Sequence, residues 1–230
     1  MAWVHIDSVR QDDGTVLDLY ERDGIYMIRA DGWELMNGGF HLSEDVLGDL
    51  AVRLSPGPDP AILVGGLGLG FTLAALARRL DGRGRVTVAE LSAAVIYWFS
   101  QHTGRRLFDA LPTNVQIRQG DVLALSAEGP WDAIVLDVDN GPQPLAAAGN
   151  GALYSAEGLA TFAARLAPGG VLLLWSAFED ATFIARANAI GFSVARRSVP
   201  GPGKDGAFHV IYVLSCAPIA DPDAPGLQPA

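Results

Sequence analysis

The chain of 230 residues has few cysteines, few basic residues and no long apolar runs, and each absence excludes a class of protein. It contains one cysteine, Cys216, which can form neither an internal disulfide nor a thiolate metal cluster. Its 16 basic residues are outnumbered by 26 acidic ones, and the net charge of −10 argues against nucleic acid as a partner. No apolar run reaches membrane-spanning length, and residues 1–7 lack a signal-peptide pattern. These absences favour a cytoplasmic protein without membrane or nucleic-acid contact.

Motifs of several enzyme classes are also missing. The sequence has no G-x-S-x-G nucleophile elbow, no H-E-x-x-H zinc motif and no Lys-Ser/Thr pair after its glycine-rich segment. His5, His102 and His209 do not have the spacing of metal ligands, and no carboxylate cluster joins them. The sequence therefore predicts no metal site and excludes a P-loop.

Residues 1–57 form a region of their own. Short apolar runs alternate there with three Asp-Gly pairs and one Asn-Gly pair, which predicts β-hairpins. A helix is predicted from Ser43, as its N-cap, to Leu54. A Pro/Gly-rich break then separates this region from the main domain, 58–216, and a Pro- and Ala-rich tail, 217–230, is expected to be flexible.

Strands and helices alternate from residue 61 onward, which predicts a parallel sheet covered on both faces. The link between the last two strands is too short for a helical crossover, so these strands should pair antiparallel. The predicted fold is therefore α/β, with a doubly wound, mostly parallel seven-stranded sheet and an N-terminal β-hairpin region. The predicted strands are 61–64, 85–89, 115–118, 133–136, 171–175, 192–198 and 208–215.

The most informative segment is a glycine loop between the first of these strands and a helix. The apolar run Ile62–Val64 breaks into Gly66, Gly68 and Gly70, and an apolar helical pattern follows. Glycines at such a turn let the backbone approach a ligand closely. The pattern differs from the dinucleotide fingerprint G-x-G-x-x-G, because Phe71 stands at the position of its third glycine.

Acidic residues follow the next three predicted strands. Glu90 comes about twenty residues after the glycines, where a carboxylate binds the ribose hydroxyls of a nucleoside. Gly120 and Asp121 follow the third strand, and Asp137 and Asp139 follow the fourth. One such Asp alone indicates a helix cap or a turn. Because ligands of open α/β sheets bind at the carboxyl ends of the strands, the whole set predicts a nucleoside-cofactor site.

The glycine loop, Glu90 and the Gly120-Asp121 pair resemble motifs of class I S-adenosylmethionine (AdoMet)-dependent enzymes. That family also has a doubly wound sheet ending in an antiparallel hairpin. The resemblance implies that Glu90 binds the ribose of the cofactor and that Asp121 meets the adenine amino group.

A narrower resemblance, covering most of the chain, is to spermidine synthases (polyamine aminopropyltransferases). The segments that carry it are 35–44, 136–142 and 153–159, the last followed by Pro-Gly-Gly at 168–170. It implies AdoMet or decarboxylated AdoMet as the donor and Asp137 as the proton-accepting residue. It also implies a homodimer, with the hairpin region as a contact surface.

Departures from the spermidine synthase pattern bear on the reaction. The family's glycine loop carries an Asp that helps to hold the donor's amine, whereas residues 65–70 contain no acid. Its polyamine-binding Tyr-His-Glu has no counterpart in 48–53, and His41 stands at the position of its Gln. Methyl transfer to a small-molecule acceptor is therefore the expected reaction. Aminopropyl transfer from decarboxylated AdoMet to a polyamine is the alternative, and a non-catalytic nucleoside-binding protein is a third interpretation.

Four residues are candidates for the acceptor side, each with a structural alternative. Asp137 is expected to be the general base, or else to cap the loop that follows it. Asp139 is a second candidate carboxylate, or a solvated loop acid. Tyr154 could line the acceptor pocket or pack beneath its loop, and His41 could touch the cofactor or acceptor or be structural.

Overall fold

The computed structural model describes residues 1–138, 141–142, 150–202, 208–217 and 226–230. The strands are β1 (Val4–Arg10), β2 (Val16–Arg22), β3 (Ile25–Ala30), β4 (Trp33–Asn37), β5 (Ala61–Gly65), β6 (Arg85–Glu90), β7 (Val115–Gln119), β8 (Trp131–Leu136), β9 (Leu166–Ser176), β10 (Ser193–Pro200), β11 (Phe208–Ser215) and β12 (Gln228–Pro229). The helices are α1 (Leu42–Leu54), α2 (Phe71–Leu80), α3 (Ala93–Trp98), α4 (Gly104–Leu107), α5 (Val122–Leu125), α6 (Ala156–Ala163) and α7 (Ala181–Ala189). A π-helical segment, Phe99–Thr103, joins α3 to α4. Within these ranges, no helix has the length and apolar character needed to cross a membrane.

The larger sheet has the strand order β12-β10-β11-β9-β8-β5-β6-β7. Strands β5 to β9 run parallel, while β11 pairs antiparallel with β9 and with β10. The predicted doubly wound sheet with a terminal antiparallel pair is confirmed. The predicted count of seven strands is wrong, because Gln228 and Pro229 add a short eighth strand beside β10. This segment satisfies backbone groups that an edge strand would otherwise leave unpaired.

Both faces of the sheet are covered, as the strand sequences predict. In β5, Ile62 and Val64 pack with the apolar side chains of α1, α2 and α3, while Leu63 packs on the opposite face with those of α6 and α7. All three residues are fully buried. A strand with two covered faces is apolar at every position, which is the run seen in the sequence.

The N-terminal region is a four-stranded antiparallel sheet in the order β1-β2-β3-β4. Two of its three Asp-Gly turns have positive φ at both residues, for example 52° and 83° at Asp23 and Gly24, which matches the twist of a hairpin. The predicted N-cap is wrong: α1 begins at Leu42, and the Ser43 hydroxyl bonds side chains instead of the helix backbone. The indole N–H of Trp98 donates to Asp7 at 2.7 Å and ties this sheet to the main domain.

Helix α1 crosses α2 closely at Gly48. A Cβ atom at this position would lie 2.6 Å from the Cβ of Ala75 and 2.9 Å from the carbonyl oxygen of Thr72. The backbones of the two helices can therefore approach only if residue 48 has no side chain. The crossing holds the N-terminal turn of α1 near the carboxyl edge of the sheet.

Gly48→Ala is expected to destabilise the protein by about 1–3 kcal/mol, because the added methyl group overpacks the crossing. Helix propensity alone would give the opposite sign, a gain of about 1 kcal/mol. Urea denaturation measures the difference. Asp49→Ala, at the exposed neighbouring position, is the matched control and should change stability by less than about 0.5 kcal/mol. A stabilised Gly48 variant would contradict the close crossing.

Candidate active site

Three glycines shape the loop between β5 and α2. Gly66, Gly68 and Gly70 have φ values of 88°, 50° and 92°. A Cβ atom at Gly66 would lie 2.2 Å from the Asp137 carbonyl oxygen, and one at Gly70 would lie 2.4 Å from a ring carbon of Phe99. Packing within the chain therefore excludes side chains at Gly66 and Gly70, in addition to the positive φ.

Met36, on β4, lies directly over this loop. Its sulfur accepts a hydrogen bond from the backbone N–H of Leu69 at 3.2 Å, and a Cβ atom at Gly68 would lie 2.5 Å from its methyl carbon. The described residues leave a cavity of about 30 Å³ here, with Glu44 and Asp137 in its lining. A ligand pocket is typically at least about 300 Å³, so a nucleoside can enter only if Met36 withdraws.

Glu90 ends β6, and its carboxylate turns back to the glycine loop. One oxygen accepts a hydrogen bond from the N–H of Leu67 at 2.9 Å, and the other accepts one from the N–H of Ser92 at 2.8 Å. Burial raises the pKa of Glu90, and these backbone donors oppose the shift. A carboxylate has about four lone-pair sites, and those that the backbone donors leave unoccupied can accept hydrogen bonds from ribose hydroxyls.

Gly120 and Asp121 lie beside Glu90 at the end of β7. The N–H of Gly120 donates to the carbonyl of Glu90 at 2.9 Å. Asp121 is the N-cap of α5, and its Oδ1 accepts a hydrogen bond from the N–H of Leu123 at 2.8 Å. The residue is exposed, so it combines the cap role with access to a polar ligand at this edge.

Asp137 follows β8 and faces both α1 and α2. The hydroxyl of Thr72 donates to its Oδ2 at 2.5 Å. Desolvation, and then the negative charge of Glu44, raises the pKa of Asp137 from 3.8 to about 7, while the Thr72 hydrogen bond opposes the shift. A carboxyl group that titrates near neutral pH can both accept and release a proton, which suits a general base.

A second carboxylate, Glu44, reaches this site from the first turn of α1. The Ser43 hydroxyl donates to Oε2 of Glu44 at 2.6 Å, and the Ser43 hydroxyl oxygen lies 2.9 Å from Nδ1 of His209 on β11. Burial lowers the pKa of His209, and the charge of Glu44 opposes this. Sequence reasoning missed the group because its members are up to 166 residues apart. The Ser43-Glu44 pair within the segment 35–44 was the available signal; His209 had none.

His41 lies at the N-terminus of α1, beside the end of the glycine loop. Its ring stacks on Phe71, with centroids 4.1 Å apart and planes 4° from parallel. Its Nδ1 is 2.9 Å from a carboxylate oxygen of Asp45, which also bonds Arg78 at 3.0 Å. The structure thus places His41 beside the glycine loop and gives its ring a fixed orientation.

Tyr154 is placed differently. It is 1% exposed, its hydroxyl donates to the Val138 carbonyl at 3.2 Å, and its ring packs edge-on against Phe183. This buried environment fits a packing role, one of the two alternatives for this residue. Asp139, the other loop candidate, lies outside the described residues.

The carboxyl edge of the sheet fits a nucleoside in its polar groups, with Met36 as the obstacle. Glu90 offers lone pairs to a ribose, and Asp121 offers an exposed carboxylate to an adenine amino group. The N–H of Leu69 becomes free for a ligand once the Met36 sulfur leaves it. In the part of the chain that the structure describes, no three His, Cys, Asp or Glu side chains are grouped as a metal site.

No protein-family model matches the chain, and no curated protein matches it in sequence. Solved structures share its fold. A spermidine synthase in complex with the transition state analogue AdoDATO has a TM-score of 0.71 at 16% identity, covering 93% of this chain and 72% of that one. Spermidine synthase from Thermotoga maritima has a TM-score of 0.72 at 16% identity, covering 93% and 73%. Human methyltransferase-like protein 13 in complex with SAH has a TM-score of 0.56 at 18% identity, covering 78% and 82%.

The α/β domain has the class I AdoMet-dependent methyltransferase fold, shared with the human methyltransferase-like protein. The spermidine synthases match 93% of the chain, which is more than the residues after 57 alone could supply. The chain is therefore spermidine synthase-like in fold, including its N-terminal sheet.

Asp137→Asn is expected to stabilise the protein at pH 8 and to stabilise it less at pH 5. The pKa of Asp137 is raised on folding from 3.8 to about 7, so the stability of the unaltered protein falls as the pH rises between these values. Asn removes this cost, so we expect the stabilisation to be about 1–3 kcal/mol greater at pH 8 than at pH 5. Urea denaturation at both pH values measures it, with the exposed Asp49→Asn as the control. Equal effects at pH 5 and pH 8 would show that Asp137 titrates as an ordinary Asp.

Proposed function

We propose that the protein is an AdoMet-dependent transferase that methylates a small-molecule acceptor, with Asp137 as the general base. The observation that carries this proposal is that Gly68 and Asp137 line one cavity at the carboxyl edge of the sheet. Glu90 stands on the opposite side of the same loop, hydrogen-bonded to the N–H of Leu67. A nucleoside donor and a proton-accepting carboxyl group would therefore meet at this loop.

The residues divide into a donor side and an acceptor side. Glu90 would hold the ribose, Asp121 would hold the adenine amino group, and the glycine loop would accommodate the amino-acid end. When bound, AdoMet supplies an activated methyl group on a sulfonium. The chain aligns the acceptor with that group, and Asp137 takes the acceptor's proton. Because the Thr72 hydroxyl fixes Oδ2 of Asp137, Oδ1 is the oxygen available to the acceptor.

Aminopropyl transfer is the second candidate, and Glu44 supports it by supplying the acid that the glycine loop lacks. Residues 65–70 have no acid, but α1 brings the carboxylate of Glu44 into the cavity beside Gly68. A carboxylate at this place can hold the amine of the donor, which is the role that the loop Asp has in spermidine synthases. The two candidates share the donor's nucleoside part and differ at its amino-acid end.

Calorimetric titration with AdoMet, decarboxylated AdoMet, S-adenosylhomocysteine and methylthioadenosine separates these candidates. We expect AdoMet and S-adenosylhomocysteine to bind at least about tenfold more tightly than the other two, a difference of about 1.4 kcal/mol. Glu90→Gln should weaken all four ligands, because one ribose acceptor is lost. The reverse preference would favour aminopropyl transfer.

Two controls sharpen the titration. Asp121→Asn keeps the Oδ1 that caps α5 and removes only the charge, so a weakened affinity in a folded variant reports on adenine contact. Thermal unfolding of the Glu90 variant shows whether the loop still folds without the full carboxylate. If none of the four ligands bound to the unaltered protein, the nucleoside site itself would be refuted.

Asp137→Asn is expected to lower kcat about 10²- to 10⁴-fold while leaving donor affinity unchanged, because Asn cannot accept the acceptor's proton. The measurement is release of the thioether product from AdoMet in an acceptor screen. Asp49→Asn serves again as the matched charge control. Full activity of the Asp137 variant would remove its role as base. Donor binding without turnover for every acceptor would favour the non-catalytic nucleoside-binding protein.

A further inference from the structure

We propose that Glu44, Ser43 and His209 form a proton relay that carries the proton collected by Asp137 to solvent. This inference rests on the proposed function, since the proton is the one released by the acceptor. The relay residues come from the first turn of α1 and the start of β11. Both elements reach the carboxyl edge of the sheet, where β11 pairs Val210 with Ser176, the last residue of β9.

Ser43 is the central member of the relay. It is fully buried, and its hydroxyl oxygen is within hydrogen-bond distance of Oε2 of Glu44, at 2.6 Å, and of Nδ1 of His209, at 2.9 Å. A hydroxyl donates one hydrogen bond and accepts others, so Ser43 can receive a proton from one neighbour while it passes its own to the other. No helix-capping role competes for this hydroxyl.

Glu44 connects the relay to the candidate active site, and His209 connects it to the solvent. Glu44 and Asp137 line the same cavity, and the negative charge of Glu44 raises the pKa of Asp137 and opposes the lowering of that of His209. His209 is partly exposed, and its ring packs edge-on against Trp175 with centroids 4.8 Å apart. The ring is thus held with Nδ1 toward Ser43 while the residue remains accessible to water.

Other groups around the relay have partners of their own. Thr72, on α2, donates to Asp137. Asp45, one residue after Glu44, is bonded to His41 and to Arg78. The geometry therefore links Asp137 electrostatically to Glu44 and links Glu44 by hydrogen bonds to His209, whereas Asp45 belongs to a separate cluster.

Each transfer conserves the proton and the charge. The acceptor's proton passes to the Asp137 carboxylate and then, through a water molecule in the cavity of about 30 Å³ that both side chains line, to the Glu44 carboxylate. Protonated Glu44 gives a proton to the Ser43 oxygen, and the Ser43 hydroxyl proton moves to Nδ1 of neutral His209. This restores the Glu44 carboxylate and the Ser43 hydroxyl and leaves an imidazolium, which releases a proton to water. Exchange of the ring protons with solvent then restores the neutral tautomer whose Nδ1 carries no proton. The Ser43-to-Glu44 hydrogen bond in the structure is the arrangement expected while Glu44 is a carboxylate.

NMR titration of the histidine rings tests the link without any substrate. Glu44→Gln should lower the pKa of His209, because it removes the charge that raises that pKa. Asp45→Asn is the matched control, since it removes a neighbouring charge that has its own partners, and it should leave the His209 titration unchanged. An unchanged His209 titration in the Glu44 variant, in a protein that binds the donor, would overturn the relay alone.

Buffer rescue tests the relay in turnover. His209→Ala should lower kcat about tenfold in dilute buffer, with KM and donor affinity unchanged, and added imidazole should restore the rate. A structural role for His209 would give a loss that imidazole does not restore, and this would overturn the proposal. Failure of the unaltered protein to bind any donor would instead refute the proposed function, and the relay with it.

Discussion

The close approach of the glycine loop to the end of β8 is the constraint on which the site depends. The N–H of Asp137 donates to the Gly65 carbonyl at 2.9 Å, and the N–H of Gly66 donates to the Ala89 carbonyl at 2.9 Å. The sheet's hydrogen bonds thus continue into the loops and place the ends of β5, β6 and β8 side by side. A side chain at Gly66 would strike the Asp137 carbonyl, so this arrangement requires glycine.

The same constraint buries carboxyl groups that a fold optimised for stability would place in water. Desolvation raises the pKa of both Glu90 and Asp137. For Glu90, backbone donors oppose this rise in pKa, because they stabilise the charged form of the carboxylate. Asp137 has Thr72 as its described donor and faces the charge of Glu44, so it is balanced near neutral pH. The difference in their surroundings supports the binding role that we propose for Glu90 and the proton-transfer role that we propose for Asp137.

Sequence pattern was sufficient for the parallel strands, because a strand covered on both faces leaves a continuous apolar run. The pattern was insufficient where contacts with distant parts of the chain determine the role of a residue or the formation of a strand. Ser43 looks like an N-cap by residue type, but its hydroxyl meets His209 across 166 residues. The strand at Gln228 follows from an unpaired edge and not from local propensity. Glu44 and Met36 enter the site only through the placement of α1 and β4, and the homodimer and the cytoplasmic location stay predictions.

The two candidate donors can be compared through the groups at the glycine loop. The N–H of Leu69 bonds the Met36 sulfur, so withdrawal of Met36 leaves a donor that needs an acceptor. Glu44 offers a negative charge to an amine in the same cavity. Intact AdoMet carries a carboxylate, which can accept a hydrogen bond from the Leu69 N–H, and an amine, which can pair with the Glu44 carboxylate. Decarboxylated AdoMet has only the amine and would leave the Leu69 N–H without a ligand partner. The pair of groups therefore favours intact AdoMet, although Glu44 alone suits either donor.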